Sequence, residues 1–293
     1  MDQLISKAAV LLEALPYIQR FRGATFVVKY GGSFMDSSEP SVRNGVARDV
    51  VFLEAAGINP VVVHGGGKAI SRAMERAGLH PQFINGLRVT SKEAASLVEQ
   101  TLSNEINPEI VRIINALGGK AKGFSGTDLF ECEKVWFSDD EGERVDSGYV
   151  GRVTKVKTAP LLECIEQNIT PIVSPTALGP DGQIYNCNAD VAAAEAAISL
   201  QAKRLVFMSD VPGLMHDPSN PETVIPHLQS HEVDRLKAAG VISKGMIPKV
   251  DSAVKALEAG VTKVSFVDGR LNHAVLLEIF TDAGVGTEIV KSD

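Results

Sequence analysis

Apolar and polar positions follow two rhythms along the chain. Leu4, Ala8, Leu11, Leu12, Leu15 and Ile18 recur at helical spacing, with Lys7, Glu13 and Gln19 off that stripe. The spacing predicts an amphipathic N-terminal helix, kinked near Pro16. This helix precedes the first strand, so it either packs on its own domain or docks on a neighbouring subunit. Short apolar runs follow, several of them punctuated by glycine. These are Thr25–Lys29 before Gly31-Gly32, Pro60–His64 before Gly65-Gly66-Gly67, Pro171–Ser174, Arg204–Ser209 and Val264–Val267. Helical patterns cover Ser41–Ala56, Lys68–Ala77, Ala94–Leu117 with a kink at Pro108, 158–168, Asp190–Leu200, His231–Ala239, Lys249–Ala259 and Leu271–Phe280. Residues 130–156 change character, with short strands around the acidic turn Asp139-Asp140-Glu141-Gly142, and Pro180-Asp181-Gly182 reads as a hairpin turn.

Apolar strands alternating with helices predict an α/β fold: a mainly parallel sheet with helices on both faces. Ligands of such sheets sit at the carboxyl ends of the strands, where the glycine-rich turns lie. A soft division falls near residue 185. It yields an N-terminal helix (1–22), a first lobe (23–185) and a second lobe (186–293).

Composition narrows the function classes. In 293 residues, 29 Lys+Arg against 36 Asp+Glu give a net charge of −7, and 44% are hydrophobic. The apolar content excludes disorder of the whole chain. An acidic chain without basic runs is a poor nucleic-acid binder, although a local cationic site can still hold a small anion. Cys132, Cys164 and Cys187 are widely spaced and read as single thiols of a reducing compartment. No apolar run reaches the roughly 18 residues of a membrane helix. The N-terminal apolar stretch is cut by Glu13 and Pro16, unlike a secretory signal, so the expected location is cytoplasmic.

The chemistry collects at turns. Glycines after two strands let backbone N–H groups approach an anion, and each precedes a helix N-terminus. The P-loop pattern GxxxxGK[ST], the GxGxxG fingerprint and the protein-kinase set are missing. Other polar clusters are Asn85–Thr90 (NGLRVT), Ser125–Asp128 (SGTD), Tyr185–Asp190 (YNCNAD), Ser209–Gly213 (SDVPG) and Gly245–Val250 (GMIPKV). Singly, each has a bland reading: Asp190 as a helix N-cap, Arg88 as a surface ion pair, Lys249 as a solvated charge.

Together with KYGG, HGGG, GRVTKV, VDGR and LLEIFTDAGVGT, in order and spacing, these motifs resemble the amino-acid kinase family, and within it the arginine-sensitive acetylglutamate kinases. The resemblance runs through nearly the whole chain. It implies a three-layer αβα sandwich and transfer of the γ-phosphoryl of MgATP to the γ-carboxylate of N-acetyl-L-glutamate. By resemblance, Lys29 and Lys249 are the cations at the reaction centre and Asp190 orients them. Gly32 and Gly66 hold the phosphate, and Gly66, Gly67, Arg88 and Asn186 hold the acyl-amino acid. Asp210, Val211, Gly213, Leu214, Met215, Val241, Ile242 and Ser243 match nucleotide-binding segments. Mg²⁺ rides on ATP oxygens and water, with no protein ligand. The lobe 23–185 would bind the acceptor and 186–293 ATP. Glu278 and Gly284 match positions that bind the inhibitor L-arginine, and the N-terminal helix matches an extension that interlaces dimers into a hexamer, a trimer of dimers. Ser265 departs from the histidine of arginine-inhibited relatives. Two rivals stay open: a kinase of the same family acting on carrier-linked aminoadipate or glutamate, and a non-catalytic amino-acid or nucleotide sensor.

Overall fold

The computed structural model describes residues 2–31, 40–84, 86–138, 144–242 and 245–292. Among the described residues, one sheet of eight strands organises the molecule. Its order is His227–Gln229, Thr287–Val290, Lys263–Asp268, Arg204–Ser209, Thr25–Tyr30, Asn59–His64, Thr170–Val173 and Ala121–Phe124. Every neighbouring pair is parallel except Lys263–Asp268 against Thr287–Val290.

The period of two along each strand sorts side chains onto two cores. Val27, Val61, Val63, Leu205, Phe207, Val264 and Phe266 share one core with the helices Ala189–Ser199 and Ile247–Glu258. Phe26, Val28, Val62, Val206 and Met208 share the other with Pro40–Ala55, Asn107–Ala116 and Ala274–Ile279. Helix, sheet and helix therefore form the three layers expected. The same pleat places Lys29 on the face of Val27, toward Ala189–Ser199.

That helix is buried on every side. Ala192, Ala193, Ala194, Ala196 and Ala197 are each at most 1% exposed. A helix apolar all round belongs in a core, and alanine lets sheet and neighbouring helix close on it.

The long helix predicted over Ala94–Leu117 is three pieces: Lys92–Glu99, a π-helical stretch Gln100–Ile106, and Asn107–Ala116. Pro108 accounts for the interruption. Its ring cannot sit against the carbonyl four residues back in an α-helix, and the wider π turn relieves that clash. The strands of region 130–156 are long rather than short. Phe130–Ser138 and Arg144–Val156 join Thr176–Leu178 and Ile184–Cys187 in a small closed barrel. The acidic turn at 139–142 lies outside the described residues. The Pro180–Gly182 turn joins two antiparallel barrel strands, as read. The helix expected at Leu271–Phe280 begins only at Ala274, because His273 takes a left-handed φ of 59°.

The N-terminal helix spans Asp2–Phe21. Its last turn packs on its own chain, with Phe21 edge-on to Phe26 and Tyr17 donating to Asp282. Farther back, Ile5, Val10, Leu11, Leu12 and Leu15 are exposed.

Added side-chain carbons in the alanine helix have nowhere to go. Ala193→Leu should lower unfolding free energy by about 1–3 kcal/mol, measured by chemical denaturation.

Candidate active site

Three elements deliver three charges to one point. Lys29 comes from the end of the central strand, Asp190 from the first turn of Ala189–Ser199, and Lys249 from the first turn of Ile247–Glu258. Lys29 Nζ lies 3.0 Å from Asp190 Oδ1 as an ion pair, and Lys249 Nζ donates to Oδ2. The N-cap of the helix is Asn188, whose Oδ1 accepts from the backbone N–H of Asp190 (2.7 Å) and Val191 (3.3 Å). The bland reading of Asp190 as the cap is thereby corrected, and its carboxylate is left for the lysines. Burial pushes the Asp190 pKa up, but Lys29 and Lys249 prevail and hold it below the usual carboxylate range. Burial lowers the Lys249 pKa, with Asp190 opposing and Lys29 adding to the fall. Two ammonium groups against one carboxylate leave a positive excess in a place largely shut off from water.

A cleft of about 230 Å³ opens beside these charges. Lys29, Asp190, Gly66, Gly67, Arg88 and Asn186 line it, and Lys249 joins through Asp190. Gly66 caps the helix Gly67–Arg76, offering unpaired N–H groups at its N-terminus. A Cβ on Gly66 would stand 2.5 Å from Ile106 Cδ1 and 2.6 Å from Leu102 Cδ2. The π-helical stretch therefore presses on this turn, and a side chain at Gly66 would force Leu102 and Ile106 to shift.

Arg88 closes the far side and is 7% exposed. Its Nη2 donates to Gly67 O at 3.0 Å and Ser71 Oγ at 2.9 Å, and Nη1 to Met74 Sδ at 3.5 Å. Among the described residues no carboxylate pairs with it, and burial lowers its pKa. Asn186 Nδ2 donates to Thr90 Oγ1 at 3.3 Å, and Thr90 Oγ1 donates to Arg88 O at 2.7 Å. The sequence pointed to Arg88 and Asn186 but not to Asn188, Ser71 or Phe83. Asn188 and Asp190 are equally good caps on paper. Ser71 shows only as a polar residue four after Gly67, and Phe83 belongs to a hairpin too short to register.

The remaining candidates lie elsewhere. Asp210–Met215 follows the strand Arg204–Ser209, the neighbour of Thr25–Tyr30. This loop is pinned by Leu214 N donating to Thr287 Oγ1 at 2.8 Å, with Gly213, Leu214 and Met215 buried and Asp210 exposed. Val241 N donates to Leu236 O at 3.0 Å, and Ile242 is buried in the core. None of these residues lines the cleft. Gly32 and Ser243 lie outside the described residues. Glu278 and Gly284 are neighbours away from the cleft. Glu278 Oε2 accepts from Val285 N at 3.0 Å. Gly284 has a φ of +63°, and a Cβ there would stand 2.6 Å from that oxygen.

Cations gathered at the strand ends beside a glycine turn make a site suited to an anion such as a phosphate. The sequence matches the amino acid kinase family over residues 24–268. It is 50% identical to the acetylglutamate kinase of Akkermansia muciniphila, over 99% of this chain and 98% of that one. It is 44% identical to that of Halothermothrix orenii, over 99% of both. The N-acetylglutamate synthase of Neisseria gonorrhoeae, solved with coenzyme A and N-acetyl-glutamate, superposes with a TM-score of 0.84 at 27% identity. The match covers 98% of this chain and 64% of the synthase, so this chain spans under two thirds of that protein. The same synthase with coenzyme A and L-arginine gives 0.79. The chain belongs to the amino acid kinase family and, within it, to the acetylglutamate kinases.

His64, the last residue before the glycine turn, is fully buried. Its Nε2 accepts from Asn107 Nδ2 (3.2 Å), which also donates to Ile172 O (2.8 Å). With Nε2 accepting, Nδ1 carries the proton and meets Gly65 O at 3.0 Å. Burial lowers the His64 pKa from 6.5 to about 4. Between those values the unfolded chain binds a proton that the folded one does not. Stability is therefore full above about pH 6.5 and should fall by up to about 3 kcal/mol as pH drops toward 4. Denaturant titrations across that window should show a shallower fall for His64→Gln.

Proposed function

We propose that this enzyme transfers the γ-phosphoryl group of MgATP to the γ-carboxylate of N-acetyl-L-glutamate, in arginine biosynthesis in the cytoplasm. One arrangement carries this reading: Lys29 and Lys249, both on Asp190, at the edge of a cleft whose other side is an Arg88 without a carboxylate partner among the described residues. The acceptor carboxylate is ionised at neutral pH, since its ordinary pKa is about 4.3, so no general base is required. Its oxygen bonds to the γ-phosphorus. The β–γ bridging bond breaks with its electron pair going to ADP, leaving an acyl phosphate. The difficulty is bringing anion to anion, and positioning with charge stabilisation meets it.

Lys29 neutralises charge on the transferring group, and Lys249 neutralises it on the leaving bridge oxygen. Asp190 takes no proton; it holds both lysines in place. The N–H groups at Gly66 and Gly67 receive the phosphate and the acyl end, and that of Gly32 also receives the phosphate. Arg88 binds the α-carboxylate and Asn186 the amide. ATP lies along Asp210–Met215 and Val241–Ser243, carrying Mg²⁺ on its own oxygens. In this scheme residues 23–185, joined by Asn186, supply the acceptor side and the rest of 186–293 the nucleotide side. The parallel pairing of Lys29 with Phe207 sets the Asp210–Met215 loop on the same edge of the sheet.

Lys29→Ala should cut kcat by about 10²–10³-fold, the cost of one oxyanion donor. Near-normal turnover would refute the role. Coupled assays offering acetylglutamate, glutamate and carrier-linked aminoadipate as acceptors should give turnover with the first alone.

A second reading concerns regulation. We infer that L-arginine binds at Glu278 and Gly284, away from the cleft. Buried Glu278 is a counter-charge suited to a cationic amino acid, and the similar synthase was solved with L-arginine. The uncovered apolar positions of the N-terminal helix suit a second copy of the chain, joining dimers into a hexamer. Millimolar arginine should lower activity, and Glu278→Gln should abolish that response while leaving uninhibited turnover in place. Activity indifferent to arginine would remove this proposal.

A further inference from the structure

Phe83 stands out because it is 57% exposed yet sits at the cleft, where apolar surface has no structural reason to face water. It lies in the small hairpin of Gln82–Ile84 and Leu87–Val89, directly opposite Arg88 in the antiparallel register. Its ring centre is 4.6 Å from Arg88 Cζ. The guanidinium is thus covered on one face by an aromatic ring. Among the described residues it is held at its edges by neutral groups alone, namely Gly67 O, Ser71 Oγ and Met74 Sδ. Ser71 also donates to Gly67 O at 3.0 Å, so its hydroxyl hydrogen is committed and its oxygen is fixed as an acceptor for Arg88. Of the five N–H donors on an arginine, three are engaged by the described residues, leaving two and a charge uncompensated among them for a ligand.

We propose that Phe83 is a specificity-determining residue of this cleft, which makes the enzyme favour acceptors carrying a carboxylate beside the acylated nitrogen. This rests on the acceptor reading given above. The ring keeps water off the guanidinium, and a charge pair screened from water is far stronger than an exposed one. Ser71 is a positioning residue that locks the guanidinium plane under the ring and ties it to the glycine turn. The attraction of the ring face for the cation holds Arg88 at the cleft when no ligand is present.

Phe83→Leu keeps an apolar side chain and loses the flat π face, and Phe83→Tyr keeps the face. Two acceptors distinguish a specificity role from general packing. These are N-acetyl-L-glutamate and N-acetyl-4-aminobutyrate, which is the same molecule without the α-carboxylate. Phe83→Leu should raise KM for acetylglutamate about tenfold, with kcat and the KM for ATP within about twofold. The efficiency on N-acetyl-4-aminobutyrate should stay constant, so discrimination between the acceptors falls by about tenfold. Phe83→Tyr should restore it. Equal losses on both acceptors, a fall in kcat with KM unmoved, or full function in Phe83→Leu would overturn the proposal. If the unmodified enzyme phosphorylates neither acceptor, the acceptor reading fails. The Phe83 role is then judged by calorimetric Kd values for the two compounds on both proteins. Binding of neither compound to the unmodified protein overturns both claims.

Discussion

A single buried carboxylate, shared by two ammonium groups, is the constraint around which this structure is arranged. Asp190 is ionised where water is scarce, and it tolerates that only because Lys29 and Lys249 arrive from opposite sides. Each arrival has its own structural cause. The pleat of the central strand turns Lys29 toward the alanine-rich helix. Asn188 takes the capping duty and frees Asp190. Pro248, in the first turn of Ile247–Glu258, suits the start of the helix that presents Lys249. The small side chains of Ala189–Ser199 then let sheet and helices close to the distance at which the two lysines reach one aspartate.

The acceptor side is built on a different principle. Charge there is not balanced among the described residues but left open. Arg88 is buried among a carbonyl, a hydroxyl, a sulfur and an aromatic ring, none of which cancels its charge. The glycine turn beside it supplies backbone N–H groups and is shaped by Leu102 and Ile106 of the π-helical stretch. The chain therefore has one pre-formed cationic centre restrained by its own carboxylate and another that awaits an anion. Such a division suits chemistry in which two anionic partners must be held at once without merging into one tight, unreactive ion cluster.

Much of this was legible in the sequence, for definable reasons. Runs such as Thr25–Lys29 and Arg204–Ser209 are long enough, and β-branched or apolar enough, to show their period. The order of the glycine turns and polar motifs pointed to the residues that converge at the cleft. What could not be read depends on three-dimensional neighbours. The hairpin Gln82–Ile84 with Leu87–Val89 and the strand Ala121–Phe124 are too short to show periodicity. The π-helical stretch has no pattern of its own beyond Pro108. Asn188 and Asp190 have equal capping propensity, and only the approach of two lysines decides between them. The long barrel strands are hidden by the β-bulges in Phe130–Ser138, which break the alternation that would have revealed them.

The order of strands has a consequence for how the polypeptide acquires its shape. Thr25–Tyr30 precedes the other strands of its sheet along the chain, yet one of its two partners is Arg204–Ser209. As the chain leaves the ribosome, one edge of that strand stays without backbone partners until most of the polypeptide has emerged. Contacts so distant along the chain slow folding and leave a sticky edge open to foreign strands in the meantime. Lys29 is the charged residue of that strand, and a charge within an unpaired strand makes it a poorer template for aggregation.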